Sequence, residues 1–259
     1  MLNPAGRGDF AKRRTPTIAS GHAYNTIYEM ARSASDKGLE LLGITDHGPA
    51  MLSAVPRNYF NNFKMLPREL FGIKVMFGCE LNILDYEGNV DLELPMLKKQ
   101  DYTVASIHKA CFAVGTAEQN TAAYINAMKN PYVQIIGHPD DMGIPLDYEA
   151  LVYAAKDHHV LLEVNSESLH PRCARKGTYE NYMIMLEYCK QLQVPIILDS
   201  DAHCEVEVGN HSRSKAMLDS IGFPEELVVN RSLEAAAEYI PFLKRMLAGE
   251  LSPIEAVIK

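Results

Sequence analysis

The sequence predicts a parallel α/β fold, and three observations carry that expectation. Short apolar runs alternate with longer amphipathic ones from about residue 40 onward. Most apolar runs are Leu-rich or β-branched and lack polar alternation, as in strands buried on both faces. The 259 residues contain no Gly/Ser linker, low-complexity block or internal repeat, so 1–259 reads as one domain.

Taken in order, the expected strands begin with Leu41–Thr45 (LLGIT) and with Lys74–Phe77 leading into GCELNIL. Tyr102–Ile107, Val133–Gly137, Val160–Val164 and Pro195–Leu198 follow. Each is a short apolar run of strand length. Helical stretches lie before, between and after them at Thr26–Lys37, Thr116–Met128, Tyr148–His158, Tyr179–Leu192, Arg213–Ile221 and Leu233–Leu247. Only Asp85–Val90 (DYEGNV) breaks the rhythm, with Glu-Gly-Asn reading as a hairpin tip. Such alternation fits a barrel or an open wound sheet.

Composition narrows the function. With 25 basic and 33 acidic residues the net charge is −8, and no long Lys/Arg run exists. That argues against nucleic acid as the main partner, although metal ions can hold a small anionic substrate inside an acidic protein. Five cysteines without a Cys-x-x-Cys pair read as reduced thiols, and the expected location is cytoplasmic. No apolar run approaches the ~20 residues of a membrane span. Met1–Thr17 has charges but no apolar segment behind them, unlike a signal peptide.

The histidines are the informative feature. His47 (ITDHG), His108 (ASIHK), His138 (IIGHP) and His203 (LDSDAH) each lie just beyond an expected strand, as do Glu80 and Asp201. In parallel α/β folds that rim is the functional side. One histidine after a strand is more often structural, but the same coincidence at five strands points to a convergent metal cluster. His22, in SGHAY, joins the set. Imidazoles with carboxylates suit Zn or Mn, with Fe a further candidate, and the ligands exceed what one tetrahedral ion uses. His158, His159, His170 and His211 lack such spacing and read as structural or loop residues. No phosphate loop, nucleophile elbow or dinucleotide fingerprint is present, which removes the main support for NTPase, α/β-hydrolase and dehydrogenase readings.

ASGHAYNT, GITDHGPAM, FGCELNI, ASIHK, IIGHP, LEVNS, RKGTYEN and LDSDAH, in this order, resemble the PHP (polymerase and histidinol phosphatase) family. The likeness is to its stand-alone bacterial phosphatases with a trinuclear metal site. It implies a distorted seven-stranded (β/α) barrel and two to three divalent ions per chain. One ion is implied at His22, His47 and His203, and a second at Glu80, His108 and His138. Glu80 would bridge to a third ion that Asp201 helps to hold. The family's opening Asp-x-His-x-His is absent here: Arg14 and Pro16 stand where the imidazoles belong. Residues 1–17 are therefore atypical, the third site lacks two ligands, and the first barrel strand is doubtful, because three basic residues and a proline make a poor buried strand.

The implied activity is hydrolysis of a small phosphomonoester through metal-bound hydroxide, with Asp201 and His203 as catalytic residues. Arg175 and Lys176 are candidates to grip the phosphate, against a solvated loop pair; Arg favours the role by its bidentate fork. Asp46 either orients a ligand imidazole or caps the next turn. Two other readings are a weakened metal-binding relic of the family and an amidohydrolase-like C–N hydrolase. The second lacks the His-x-His and carboxylated-Lys context that would favour it.

Overall fold

Among residues 14–251, which the computed structural model describes, seven strands run parallel in one curved sheet. Lys12, Arg13 and the rest of the atypical N-terminal stretch before Arg14 lie outside them. In chain order the strands are β1 (Arg14–Thr15), β2 (Leu41–His47), β3 (Glu69–Leu70), β4 (Ile73–Asn82), β5 (Tyr102–Ser106), β6 (Ile135–Ile136), β7 (Leu161–Asn165) and β8 (Ile196–Asp199). The sheet order is β1-β2-β4-β5-β6-β7-β8, with β3 pairing antiparallel to β4. No ladder joins β8 to β1 among the described residues, so the barrel is distorted and part-open. Helices α1 (Ile27–Asp36), α2 (Asn58–Asn61), α3 (Leu94–Leu97), α4 (Ala117–Met128), α5 (Tyr148–His158), α6 (Thr178–Leu192), α7 (Ser212–Ser220), α8 (Leu233–Ala237) and α9 (Pro241–Leu247) follow the same alternation. Thr26 with Glu29, and Thr116 with Gln119, close capping boxes that fix where α1 and α4 begin.

The doubt over the first strand is corrected. β1 forms, two residues long, with Arg14 opposite Gly43 and Thr15 opposite Ile44. Pro16 falls just past this ladder, where no N–H is needed. The next donor, the Thr17 N–H, goes to the Asp46 carboxylate at 2.7 Å instead of to a strand.

A second correction concerns the helix expected over Leu233–Leu247. It is broken into α8 and α9, because Pro241 offers no N–H and disfavours helical backbone at Ile240, whose φ is −119°. The expected hairpin at Asp85–Val90 is present: Ile83 bridges Val90 antiparallel, and Gly88 takes φ 79° at the tip.

Strand register decides what the barrel interior contains. Side chains alternate between faces, so one parity of each strand points inward. Towards the strand starts that parity is apolar: Leu41, Met76, Val104, Ile135, Leu161 and Ile197 pack with Leu233, Ile240 and Leu243 of the C-terminal helices and the turn between them. Two to six residues further along, the same parity supplies His47, Glu80, Asn82, Ser106, Glu163 and Asn165. The opposite parity, with Ile44, Phe77, Ala105, Ile136, Leu162 and Leu198, packs under the surrounding helices. An apolar plug thus supports a polar mouth.

Leu161 is fully buried in that plug. Leu161→Ala should lower the unfolding free energy by about 2–5 kcal/mol, the usual range for a truncated core leucine. Denaturant titration with an unchanged slope would show that stability, and not compactness, has changed.

Candidate metal centre

The mouth gathers five imidazoles into a row. Ring centroids are 4.8 Å apart for His203–His22, 4.9 Å for His22–His47, 4.9 Å for His47–His108 and 5.1 Å for His108–His138. They line a cavity of about 350 Å³ together with Arg175 and Asp201. Glu80, only 1% exposed, lies beneath it. One Glu80 oxygen accepts from Ser106 Oγ at 2.9 Å and stands 3.0 Å from His138 Nε2 and 3.4 Å from His108 Nε2. The other is 3.1 Å from His47 Nδ1.

Backbone and side-chain carbonyls fix the orientation of three rings. Nδ1 meets the Ser20 carbonyl in His22 (2.9 Å), the Asn82 amide oxygen in His108 (2.7 Å) and the Asp201 carbonyl in His203 (2.7 Å). A carbonyl oxygen only accepts, so in each ring Nδ1 carries the proton and Nε2 keeps a lone pair. That is the tautomer a cation requires. Burial, reinforced by the positive charge of Arg175, pushes His138 down to about 4, so it is neutral near pH 7.

Ligand atoms of His47, Glu80 and His108 all lie within 4.8 Å of one another, close enough to share an ion with donor distances near 2.0–2.2 Å. This grouping differs from the expected one, which set His47 with His22 and His203. Two non-glycine residues at the mouth hold left-handed backbone, His138 (φ 32°) and Asp201 (φ 46°). Such conformations cost of order 1–3 kcal/mol each and persist only where surroundings fix them. The His138 N–H donates to Glu163 at 2.6 Å, and the Asp201 carboxylate accepts from Asn165 at 2.9 Å.

The two phosphate-grip candidates part company. Arg175 lines the cavity, its guanidinium 3.6 Å from Asp201. Burial opposes its charge, but Asp140 and Asp201 outweigh burial and hold it protonated. Lys176 is exposed and does not line the cavity. Asp46 touches neither expected partner directly. It accepts from Thr17, from Ser20 Oγ (2.7 Å) and from Tyr59 (2.7 Å), while Ser20 Oγ accepts from the His47 N–H at 3.1 Å. It therefore positions His22 and His47 through Ser20.

Of the remaining histidines, His159 stacks on Tyr239 at 4.0 Å, and His170 Nδ1 accepts from the Arg172 N–H. Asn82, Glu163, Asn165 and Asp140 were not anticipated. Asn82 shares parity with Glu80 on β4, which is the signal that finds it; Glu163 and Asn165 share an inward face of β7, a strand on which the sequence singled out no site residue. Asp140 is buried, and burial pushes its carboxyl up to about 7 against the opposing pull of Arg175.

The family model described as "PHP domain" matches residues 14–192. A protein named "probable phosphatase" from Clostridium novyi (strain NT) is 43% identical over 226 residues, covering 87% of this chain and 92% of its own length. Another of that name from Thermoanaerobacter sp. (strain X514) is 43% identical over 237 residues, covering 91% of this chain and 96% of its own. Among solved structures, the histidinol phosphate phosphatase of Lactococcus lactis, crystallised with zinc, L-histidinol and phosphate, superposes with a TM-score of 0.54. It is 16% identical, with 83% of this chain and 94% of that one covered, which bears on the fold alone. On the family model and these close relatives together, the chain belongs to the PHP domain family.

Proposed function

We propose that this protein is a metal-dependent phosphoesterase acting on a small phosphomonoester. The observation that carries the reading is the imidazole row around buried Glu80 with Arg175 at its edge. Relatives named probable phosphatases support it, as does a fold neighbour crystallised with zinc and phosphate.

The donors fit two divalent ions, Zn, Mn or Fe, held among His22, His47, His203, Glu80, His108 and His138. Such ions supply Lewis acidity and lower the pKa of water into the neutral range. The remaining work belongs to the chain. Arg175 offers a two-pronged donor to phosphate oxygens and, beside Asp201, stays charged in the absence of substrate. Asp201, 3.6 Å from Arg175, would take the proton given up by the attacking water and deliver one to the leaving oxygen, while His203, its Nδ1 held by the Asp201 carbonyl, would act through the ion it ligates. A third transition-metal ion does not fit. Pro16 offers no ligand atom, and Asp201 is already engaged by Asn165 and Arg175.

That missing site also favours a second reading, a metal-binding relic of the family with slow turnover. The Arg14→His/Pro16→His variant separates the two. If the relic reading holds, the variant should gain a third metal equivalent and a large increase in phosphatase activity over an almost inactive parent. Strong Mn- or Zn-dependent hydrolysis of p-nitrophenyl phosphate by the unmodified chain rejects it.

Elemental analysis of protein purified without chelator should give two transition-metal equivalents per chain. Glu80→Gln should reduce metal affinity and activity by more than the roughly 10–100-fold that follows loss of outer partners. Activity that survives both chelation and this substitution would sink the metal-dependent reading.

A pH effect follows from His138. Its native pKa, about 4, lies below the ordinary histidine value, so between those values the unfolded chain binds the extra proton. Stability is therefore complete above the ordinary value and falls as pH drops towards 4. Melting curves of chelator-treated protein should show this loss, and His138→Gln should flatten it.

A further inference from the structure

We propose that Asp91 is a positioning residue for the metal centre: acting through Asn82, it dictates which ring nitrogen of His108 carries the proton. The proposal rests on the metal-dependent reading for its consequence, whereas the proton's location is a property of the metal-free chain.

Asp91 sits at the end of the small hairpin whose sequence, DYEGNV, interrupts the strand–helix rhythm. The hairpin folds back beside β4 and delivers Asp91, 7% exposed, beneath the mouth of the barrel. One carboxylate oxygen accepts from the Asn82 backbone N–H at 2.9 Å. The other accepts from the Asn82 side-chain amide at 2.6 Å and from the Ala50 N–H at 2.9 Å. Asn82 is fully buried, and its amide nitrogen also donates to the Gly48 carbonyl at 3.2 Å. Both amide hydrogens are thus committed to acceptors, which settles the orientation of the group. Its oxygen faces His108 Nδ1 at 2.7 Å.

Polarity then runs in one direction along the chain. An ionised carboxylate only accepts, so Asn82 must turn its NH₂ towards Asp91 and its oxygen towards His108. That oxygen accepts only from a protonated Nδ1. His108 Nε2 is left with a lone pair 3.4 Å from a Glu80 oxygen, and two facing lone pairs are what a cation between them resolves. Close packing holds the unit together: a Cβ on Gly48 would run into the Asp91 carboxylate. The same carboxylate therefore ties the loop after His47 to the residue that orients His108.

An amide at position 91 cannot reproduce this. Asp91→Asn, with its NH₂ at the oxygen that faces the Asn82 amide, meets a donor there, and flipping Asn82 removes that clash at the cost of its 3.2 Å bond to the Gly48 carbonyl. A flipped Asn82 donates to Nδ1 and drives the ring proton to Nε2, facing the cation site. Asn82→Ala removes the reporter link but leaves Asp91 accepting from the backbone N–H groups of Ala50 and residue 82, so it serves if Asp91→Asn does not fold.

The test uses the full chain, chelated and labelled with ¹⁵N in histidine, above the imidazole pKa. Long-range ¹H–¹⁵N spectra, with His108 assigned by His108→Gln, report which nitrogen is protonated. Zn affinity is read in parallel by competition with a chromophoric chelator. We expect a protonated Nδ1 in the parent, its loss in either folded variant, and a fall in Zn affinity of about 10–100-fold. A protonated Nε2 in the parent overturns the proposal. So does an unchanged His108 pattern in the variants, or a shifted pattern with unchanged Zn affinity. A parent that shows the expected pattern but binds no Zn faults the metal-dependent reading and leaves the Asp91–Asn82 assignment standing.

Discussion

A carboxylate removed from water is the constraint on which the rest of this structure depends. Glu80 is 1% exposed, and burying an anion is expensive unless neighbours compensate it. Here the compensation comes from Ser106, His47, His108 and His138, which arrive from the ends of three other strands. Each imidazole is half a solution: neutral, it brings one donor or one lone pair, never both at the same atom. The carboxylate and rings therefore form a stable set only with shared protons or with cations. The barrel's contribution is to bring five strand ends to one point, which is why no short sequence segment contains the site.

Strand parity explains how one interior serves two purposes. Met76 and Glu80 lie on the same face of β4, as do Leu161 and Asn165 on β7. The apolar starts pack against the C-terminal helices, and this firm base fixes the height at which the polar ends emerge. A one-residue slip of β4 against its neighbours would put Cys79 or Leu81 in place of Glu80 and bury its charge among the outer helices. The hydrophobic plug and the polar mouth are for this reason a single specification.

Much of this was legible in the sequence, and the exceptions share a cause. Uninterrupted apolar runs identified six of the seven parallel strands, and the residue following each run identified His47, Glu80, His108 and His138, because periodicity and burial are local properties. The split at Pro241 was also local and readable, since a proline inside a helical pattern ends it. β1 was not: it is two residues long between Arg13 and Pro16, and the turn after it is held by Asp46, 29 residues beyond Thr17. Asn82 and Asn165 become visible only once register assigns them the same face as Glu80 and Glu163. Arg175 and Lys176 are neighbours of the same charge, and only the path of the loop turns one to Asp201 and the other outward.

The atypical start of the chain gains meaning from Asp46. Arg14 and Pro16 open this segment, and the turn that follows is held by one buried carboxylate. Asp46 accepts from the Thr17 N–H and hydroxyl, from Ser20 and from Tyr59. Burial and the adjacent Asp46 charge push the Tyr59 hydroxyl well above its ordinary range, so it remains a donor to that carboxylate. Ser20 then passes the restraint on, accepting from the His47 backbone and offering its carbonyl to His22. The two imidazoles at this end of the row are consequently oriented from one carboxylate through Ser20. Residues on either side of Thr17 thus do separate work: Arg14 and Thr15 extend the sheet, while Thr17 and Ser20 carry the restraint from Asp46 to His22 and His47.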